Sequence, residues 1–310
     1  MPQMRNLMSR IHEALIRAEQ EHNGRPGAPA NVTLPPFNTS ALLQPQALGM
    51  PSMVESEKTH SDNAFSRVSR PDWQAANGNM LFLQEESQVT PWAEQFRAIR
   101  SRLYRIRQKQ TLKIILVTSS LPREGKSFLS ANLSQIFARQ RGCRTLLVDA
   151  DLRWPRLHEY LGAPCNPGLP DYLAGTASAF SIVQQSPVPD LFFIPGGPAR
   201  SPAELMSNGK MKGLLDELEP HFEWIVIDSP PVSVVSDVAS LAAVSHGIVL
   251  VVRSGFTRFG VVQHAREELK DRPLVGVVLN AASKNESTAA YHYYGHDAAS
   301  PDGMDKENQD

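Results

Sequence analysis

The stretch KIILVTSSLPREGKS, Lys113–Ser127, decides the fold. It opens on Ile114-Ile115-Leu116-Val117, a short β-favouring apolar run bounded by small and turn-forming residues. It closes on Gly125-Lys126-Ser127, after which a helical pattern covers Ser127–Gln140. Strand, loop and helix in this order give the layout of a phosphate-binding loop, GxxxxGK[ST], with Ser120 in place of the first glycine. The chemistry needs these residues. Gly125 lets the backbone bend close to an anion, and the amides after it point at that anion from a helix N-terminus. Lys126 sets a compact cation on the β/γ oxygens of a nucleotide, while the Ser127 hydroxyl is a ligand for Mg2+. A bare helix start capped by Ser127 would require neither the strand nor the loop. Ser120 removes no phosphate ligand, so the expected nucleotide contacts are Ser120, Glu124, Gly125, Lys126, Ser127 and Phe128.

Outward from this loop, β-rich runs alternate with helical patterns. Strands are expected at Lys113–Thr118, Arg144–Ala150, Leu191–Pro195, Glu223–Asp228, Gly247–Val252 and Leu274–Asn280, most of them nearly continuous apolar runs suited to burial on both faces. Helices are expected at Ser127–Gln140, Pro202–Leu218, Ser236–Val244 and Thr257–Leu269. Such alternation predicts an α/β fold with a doubly wound, mostly parallel sheet, whose ligands bind at the carboxyl ends of the strands.

Acidic residues sit at those ends. Leu146-Leu147-Val148 runs into Asp149-Ala150-Asp151, and two residues apart on a strand means one face, so both carboxylates can turn to the same point. A second run, Trp224-Ile225-Val226-Ile227, ends in Asp228, where an acid holds Mg2+ directly or through water. As ordinary strand-end acids, Asp149 and Asp151 would face water; beside Lys126 and Asp228 they exceed what nucleotide binding demands. One is available to take a proton from an incoming hydroxyl. From the residues alone, Ser127 and Asp228 are expected to hold the metal and Lys126 the phosphates.

The chain has 310 residues, with 31 Lys plus Arg against 32 Asp plus Glu and a formal charge of −1. This balance argues against a nucleic-acid partner, and two cysteines cannot build a disulfide framework. Its apolar runs fall short of the roughly 20 residues that a membrane span needs, and no secretory signal is seen, which predicts a cytoplasmic protein. Composition divides the chain into an amphipathic helix at 1–22, a Pro- and Asn-rich disordered linker at 23–78, a globular domain at 79–280 and a flexible polar tail at 281–310. Three of the six tyrosines, Tyr291, Tyr293 and Tyr294, fall within that tail. Tyr291 lies 11 residues beyond Asn280, an extended reach of about 35–40 Å.

Taken together, these residues resemble the bacterial tyrosine kinases (BY-kinases) of capsule and exopolysaccharide systems, which have a P-loop NTPase fold of the ParA/MinD-like kind. The resemblance rests on Ser119–Ser127, Asp149–Pro155, Ile227–Val232, Gly168–Gly175, Pro202–Leu205 and Gly276–Asn280. It implies ATP-dependent autophosphorylation in trans of Tyr291, Tyr293 and Tyr294, with Mg2+ as cofactor, and a role in regulating polysaccharide polymerisation and export. It further implies that Asp149 joins Ser127 and Asp228 in the metal set, that Lys126, Asp149 and Asp151 form the catalytic set, that Asn280 contacts adenine, and that Glu94, Arg97 and Arg100, an ExxRxxR pattern, assemble a homo-oligomeric ring. The implied partners are a membrane adaptor carried on a separate chain, which would recruit this one to the inner face of the membrane, and an opposing tyrosine phosphatase. Two alternatives share the fold: a ParA/MinD-type switch ATPase, which shares the carboxylates too although Leu121 stands where that class carries an extra lysine, and a nucleotide-binding regulator without kinase activity.

Overall fold

The computed structural model describes Phe65 and residues 68–73, 91–233 and 237–282. Helix α1 (Pro91–Arg107) leads into β1 (Ile114–Ser119), α2 (Lys126–Ala138), β2 (Thr145–Asp149), α3 (Leu157–Leu161), α4 (Leu169–Ala174), β3 (Gln184–Gln185) and β4 (Leu191–Ile194). There follow α5 (Pro202–Ser207), α6 (Lys210–Leu218), β5 (Trp224–Asp228), α7 (Asp237–Ala243), β6 (Gly247–Arg253), α8 (Phe259–Glu268) and β7 (Leu274–Asn280). The expected amphipathic helix at 1–22 and the tail tyrosines lie outside the described residues, as does most of the expected linker.

Among the described residues the strands form one sheet in the order β3-β4-β2-β5-β1-β6-β7. Every pairing is parallel except β3 with β4. All residues of β1, β2, β4 and β5 are buried, because helices cover both faces; this is why their sequences run apolar without alternating. Leu116, Val148 and Ile227 face a core closed by α4, α6 and α7, whereas Val117, Leu147 and Val226 face one closed by α1, α2 and α3. The doubly wound expectation is met.

Three local features depart from the sequence reading. The helix expected over Pro202–Leu218 is broken in two, since Gly209 takes a left-handed φ of 76° and the Asn208 amide donates to the Leu173 carbonyl at 2.9 Å. α3, α4 and β3 are too short to show a period. The third departure corrects the linker boundary: Val68 is buried, Ser69 bridges to Gln184, Phe65 packs edge-on against Phe180 and Phe222, and Trp73 meets Phe193 edge-on at 5.9 Å. Single aromatic side chains anchor this segment, and anchoring of that kind leaves no periodicity to detect.

Trp224, at the start of β5, joins the helical layer to the sheet. It is fully buried, stacks on Phe137 of α2 at 4.3 Å, and donates its indole N–H to Tyr104 of α1 at 3.1 Å. Arg107 covers the ring at 4.7 Å and reaches Glu223 at 3.0 Å. Truncating such a ring leaves a cavity costing about 3–5 kcal/mol, whereas the exposed ion pair contributes about 1 kcal/mol or less. Trp224→Ala should therefore lower the melting temperature by roughly 6–20 °C, at 2–4 °C per kcal/mol, and Arg107→Ala by no more than a few degrees. Equal losses in the two variants by thermal unfolding would contradict this account of the packing.

Candidate active site

Strand order builds the site. β2, β5 and β1 are consecutive, and the register sets Asp149 beside Asp228 at the carboxyl ends of β2 and β5. β1 delivers the phosphate loop, and Lys126 begins α2. Three carboxylates and one ammonium therefore meet where three backbone segments leave the sheet.

The Lys126 ammonium donates to Asp151 Oδ2 at 2.8 Å, both groups being largely buried. Asp149 is fully buried: its Oδ1 accepts the N–H of Asp151 at 3.2 Å and its Oδ2 the N–H of Leu157 at 3.1 Å. The Asp228 Oδ1 accepts the Ser130 hydroxyl at 3.1 Å, and Ser130 also donates to the Lys126 carbonyl at 2.9 Å. Burial pushes the Asp149 carboxyl well above the ordinary carboxylate range, and the charge of Asp228 adds to the effect. Asp228 is raised too, by burial, although Lys126 and the hydroxyls of Ser127 and Ser130 oppose that. Burial pulls Lys126 down, yet the combined charge of Asp228, Asp151 and Asp149 outweighs this and holds it above its ordinary value. It is a cation at every physiological pH.

The loop itself is held from a distance. Gly125 has φ 97°, and a Cβ there would stand 2.0 Å from the amide nitrogen of Asn280. No side chain fits. The buried Glu124 carboxylate accepts the Leu121 N–H at 2.6 Å, the Arg253 N–H at 3.3 Å and the Thr257 hydroxyl, which ties the loop to the turn after β6. The Asn280 amide donates to the Glu124 carbonyl at 2.8 Å, so this residue supports the loop in addition to its expected place near the base. Ser130, Arg253 and Thr257 bind the side chains of Asp228 and Glu124, contacts that the sequence reading missed. No local pattern links Thr257 to Glu124 across 133 positions.

The donor set suits a magnesium nucleotide. A hydroxyl at Ser127 beside the carboxylate of Asp228 is the hard oxygen environment that Mg2+ takes, and the Ser120 hydroxyl is buried in the loop without a hydrogen-bond partner, as expected of a group that meets a bound oxyanion. Of the expected ring motif, Glu94 and Arg97 pair with each other on the outer side of α1, whereas Arg100 donates to the Ile136 carbonyl at 3.0 Å and holds α1 on α2. A cavity of about 570 Å3 lined by Tyr104, Arg107, Gln140 and Cys143 lies at the amino ends of the strands, away from this chemistry. Among the described residues no helix is long and apolar enough to cross a membrane.

Comparison with known proteins gives a consistent result. The chain is 35% identical over 220 residues to the tyrosine-protein kinase YwqD of Bacillus subtilis, covering 70% of this chain and 91% of that one. It is 37% identical over 211 residues to EpsB of Ralstonia nicotianae; here 66% of this chain matches only 27% of the relative's length. The crystal structure of the chimerical protein CapA2B2 superposes with a TM-score of 0.62 at 29% identity, over 72% of this chain and all of that one. No family model matches.

The buried carboxylates carry a stability signature. Their pKa values are near 4 in an unfolded chain and raised in the folded one, so the neutral forms favour folding. That contribution is present at low pH and is lost as pH climbs from the ordinary carboxylate range through the raised folded values. Without nucleotide, Asp228→Asn should melt several degrees above the native sequence at pH 8, and the gap should close towards pH 4. An equal or lower melting temperature at pH 8 would contradict the raised values that burial imposes on these carboxyls.

Proposed function

Because the chain belongs to the bacterial tyrosine-protein kinases, as its identity across 91% of YwqD shows, we propose that it transfers the γ-phosphoryl group of ATP to tyrosine hydroxyls, chiefly Tyr291, Tyr293 and Tyr294 of a neighbouring copy. One observation carries this reading: three buried carboxylates converge on the single ammonium of the phosphate loop. A nucleotide-binding module needs the ammonium and one metal-holding acid. The surplus acids can take the proton of an acceptor, and Leu121, where the switch ATPases that share these acids carry an extra lysine, favours the kinase.

In this reading the tyrosine oxygen attacks the γ-phosphorus, the bond from that phosphorus to the β–γ bridging oxygen breaks, ADP leaves, and the phenolic proton passes to a carboxylate. Lys126 leaves Asp151 for the phosphate oxygens and draws off the charge that develops there. Ser127, Asp228 and Asp149 would hold Mg2+, which when bound would supply charge neutralisation at the phosphates. Asp151 is the better candidate for the base. Both oxygens of Asp149 are taken by backbone N–H groups, whereas Asp151 Oδ2 is bound only by the lysine that the nucleotide removes. The raised pKa of Asp149 would suit a base, but geometry ranks before pKa in choosing one. Asn280 keeps one amide N–H for the adenine after serving Glu124.

The further parts of the reading follow from the family. Glu94 and Arg97, on the outer side of α1, would form ring contacts, with Arg100 fixing that helix. A membrane adaptor on another chain would bring the kinase to the inner face of the membrane, where it would regulate polysaccharide export, and a tyrosine phosphatase would reset it. The purified chain incubated with Mg-ATP should gain phosphate on Tyr291, Tyr293 and Tyr294, read by mass spectrometry, and Lys126→Met should lower the rate by about 100-fold or more. ATP hydrolysis without any phosphotyrosine would replace this reading with a switch ATPase.

A further inference from the structure

The turn that follows β2 is fixed from several sides. Asp149 binds the N–H of Asp151 and the N–H of Leu157, at 3.2 and 3.1 Å, and so clamps both ends. Asp151 Oδ1 accepts the N–H of Trp154 at 3.3 Å. Arg153 reaches Asp237 of α7 at 3.1 Å, and Pro155 lies so close to Gly196 that a Cβ on that glycine would come within 2.6 Å of it. Within this immobilised turn Trp154 is 66% exposed, more than any other large hydrophobic side chain among the described residues. An indole normally buries 150–250 Å2 of surface. Here a rigid backbone holds it in solvent, one hydrogen bond from the carboxylate that the reading above makes the base. Rigid, exposed tryptophan is the residue type that anchors contacts at low entropic cost.

We infer that Trp154 is the acceptor-side contact of the active site, stacking on an aromatic ring of the Tyr291–Gly295 segment as a tyrosine is presented to Asp151. The inference rests on the kinase reading. The segment Tyr291-His292-Tyr293-Tyr294 offers four aromatic rings in succession, which suits an indole partner. Reach permits the contact in trans: the nine positions from Ala282 to Tyr291 extend to about 30 Å, a tether long enough to leave its own subunit and enter the site of a neighbouring copy. Trp154 contacts neither the phosphate loop nor the metal donors through any hydrogen bond, so its role falls on the acceptor alone. It is a specificity residue.

The test uses the full chain and a peptide with the sequence of residues 287–299. Trp154→Ala should raise the KM for the peptide about tenfold, as loss of one aromatic pair implies, while kcat and the KM for ATP stay within twofold. Trp154→Phe should recover most of the loss. An unchanged peptide KM in Trp154→Ala would overturn the inference. A second arm separates this outcome from failure of the kinase reading: fluorescently labelled peptide is titrated against the ADP-bound protein, and its anisotropy is followed. If no phosphotyrosine forms but Trp154→Ala still weakens peptide binding about tenfold, the kinase reading fails and the contact stands. Equal binding by the native chain and the variant removes the contact whatever the activity.

Discussion

Asp149 and Asp228 stand side by side on adjacent parallel strands, both fully out of solvent, and everything at the carboxyl end of the sheet is arranged around that unfavourable pairing. Two ionised carboxylates at this separation and depth cannot be left uncompensated. Three responses are visible. Backbone N–H groups occupy both oxygens of Asp149, hydroxyls of α2 serve Asp228, and the ammonium of Lys126 stands among the acids with its charge reinforced by them. The arrangement costs stability in the empty protein, and in the proposed function a metal and a polyphosphate would supply the positive and negative charges that the cluster is set to receive.

The phosphate loop would be of little use if it had to be ordered at each turnover. Glu124 prevents this. Its buried carboxylate gathers an N–H from within the loop, an N–H from the end of β6 and a hydroxyl from the following turn, while its carbonyl receives the amide of Asn280 from the end of β7. The loop is thereby fastened to two strands beyond the one from which it springs. Gly125 can lie against Asn280 only because it has no side chain. Loop and acids thus form one preorganised unit, and preorganisation of this kind would be the main resource for the proposed phosphoryl transfer.

Much of this was legible before any coordinates. The strand–loop–helix run at Lys113–Ser127 and the acids closing the apolar runs at Asp149 and Asp228 marked the candidate site, because each is a local pattern with a chemical reason. The central strands were equally plain, since burial on both faces writes itself as continuous apolar residues. What escaped was non-local or aperiodic. Thr257 and Arg253 are ordinary residues until the fold brings them to Glu124. Ser130 reads as a neutral helix position until it faces Asp228. Phe65 and Trp73 lie in a stretch rich in Pro and Asn, and only the sheet edge they meet reveals them as anchors. Gly209 breaks a helix whose apolar period continues across the break.

The most direct test is a crystal structure with Mg2+ and a non-hydrolysable ATP analogue. The account predicts that Lys126 leaves Asp151 for the phosphates, that the metal stands on Ser127 and Asp228, and that Asp149 keeps its two backbone partners. A nucleotide bound with Lys126 still paired to Asp151, or a metal on none of these side chains, would contradict it.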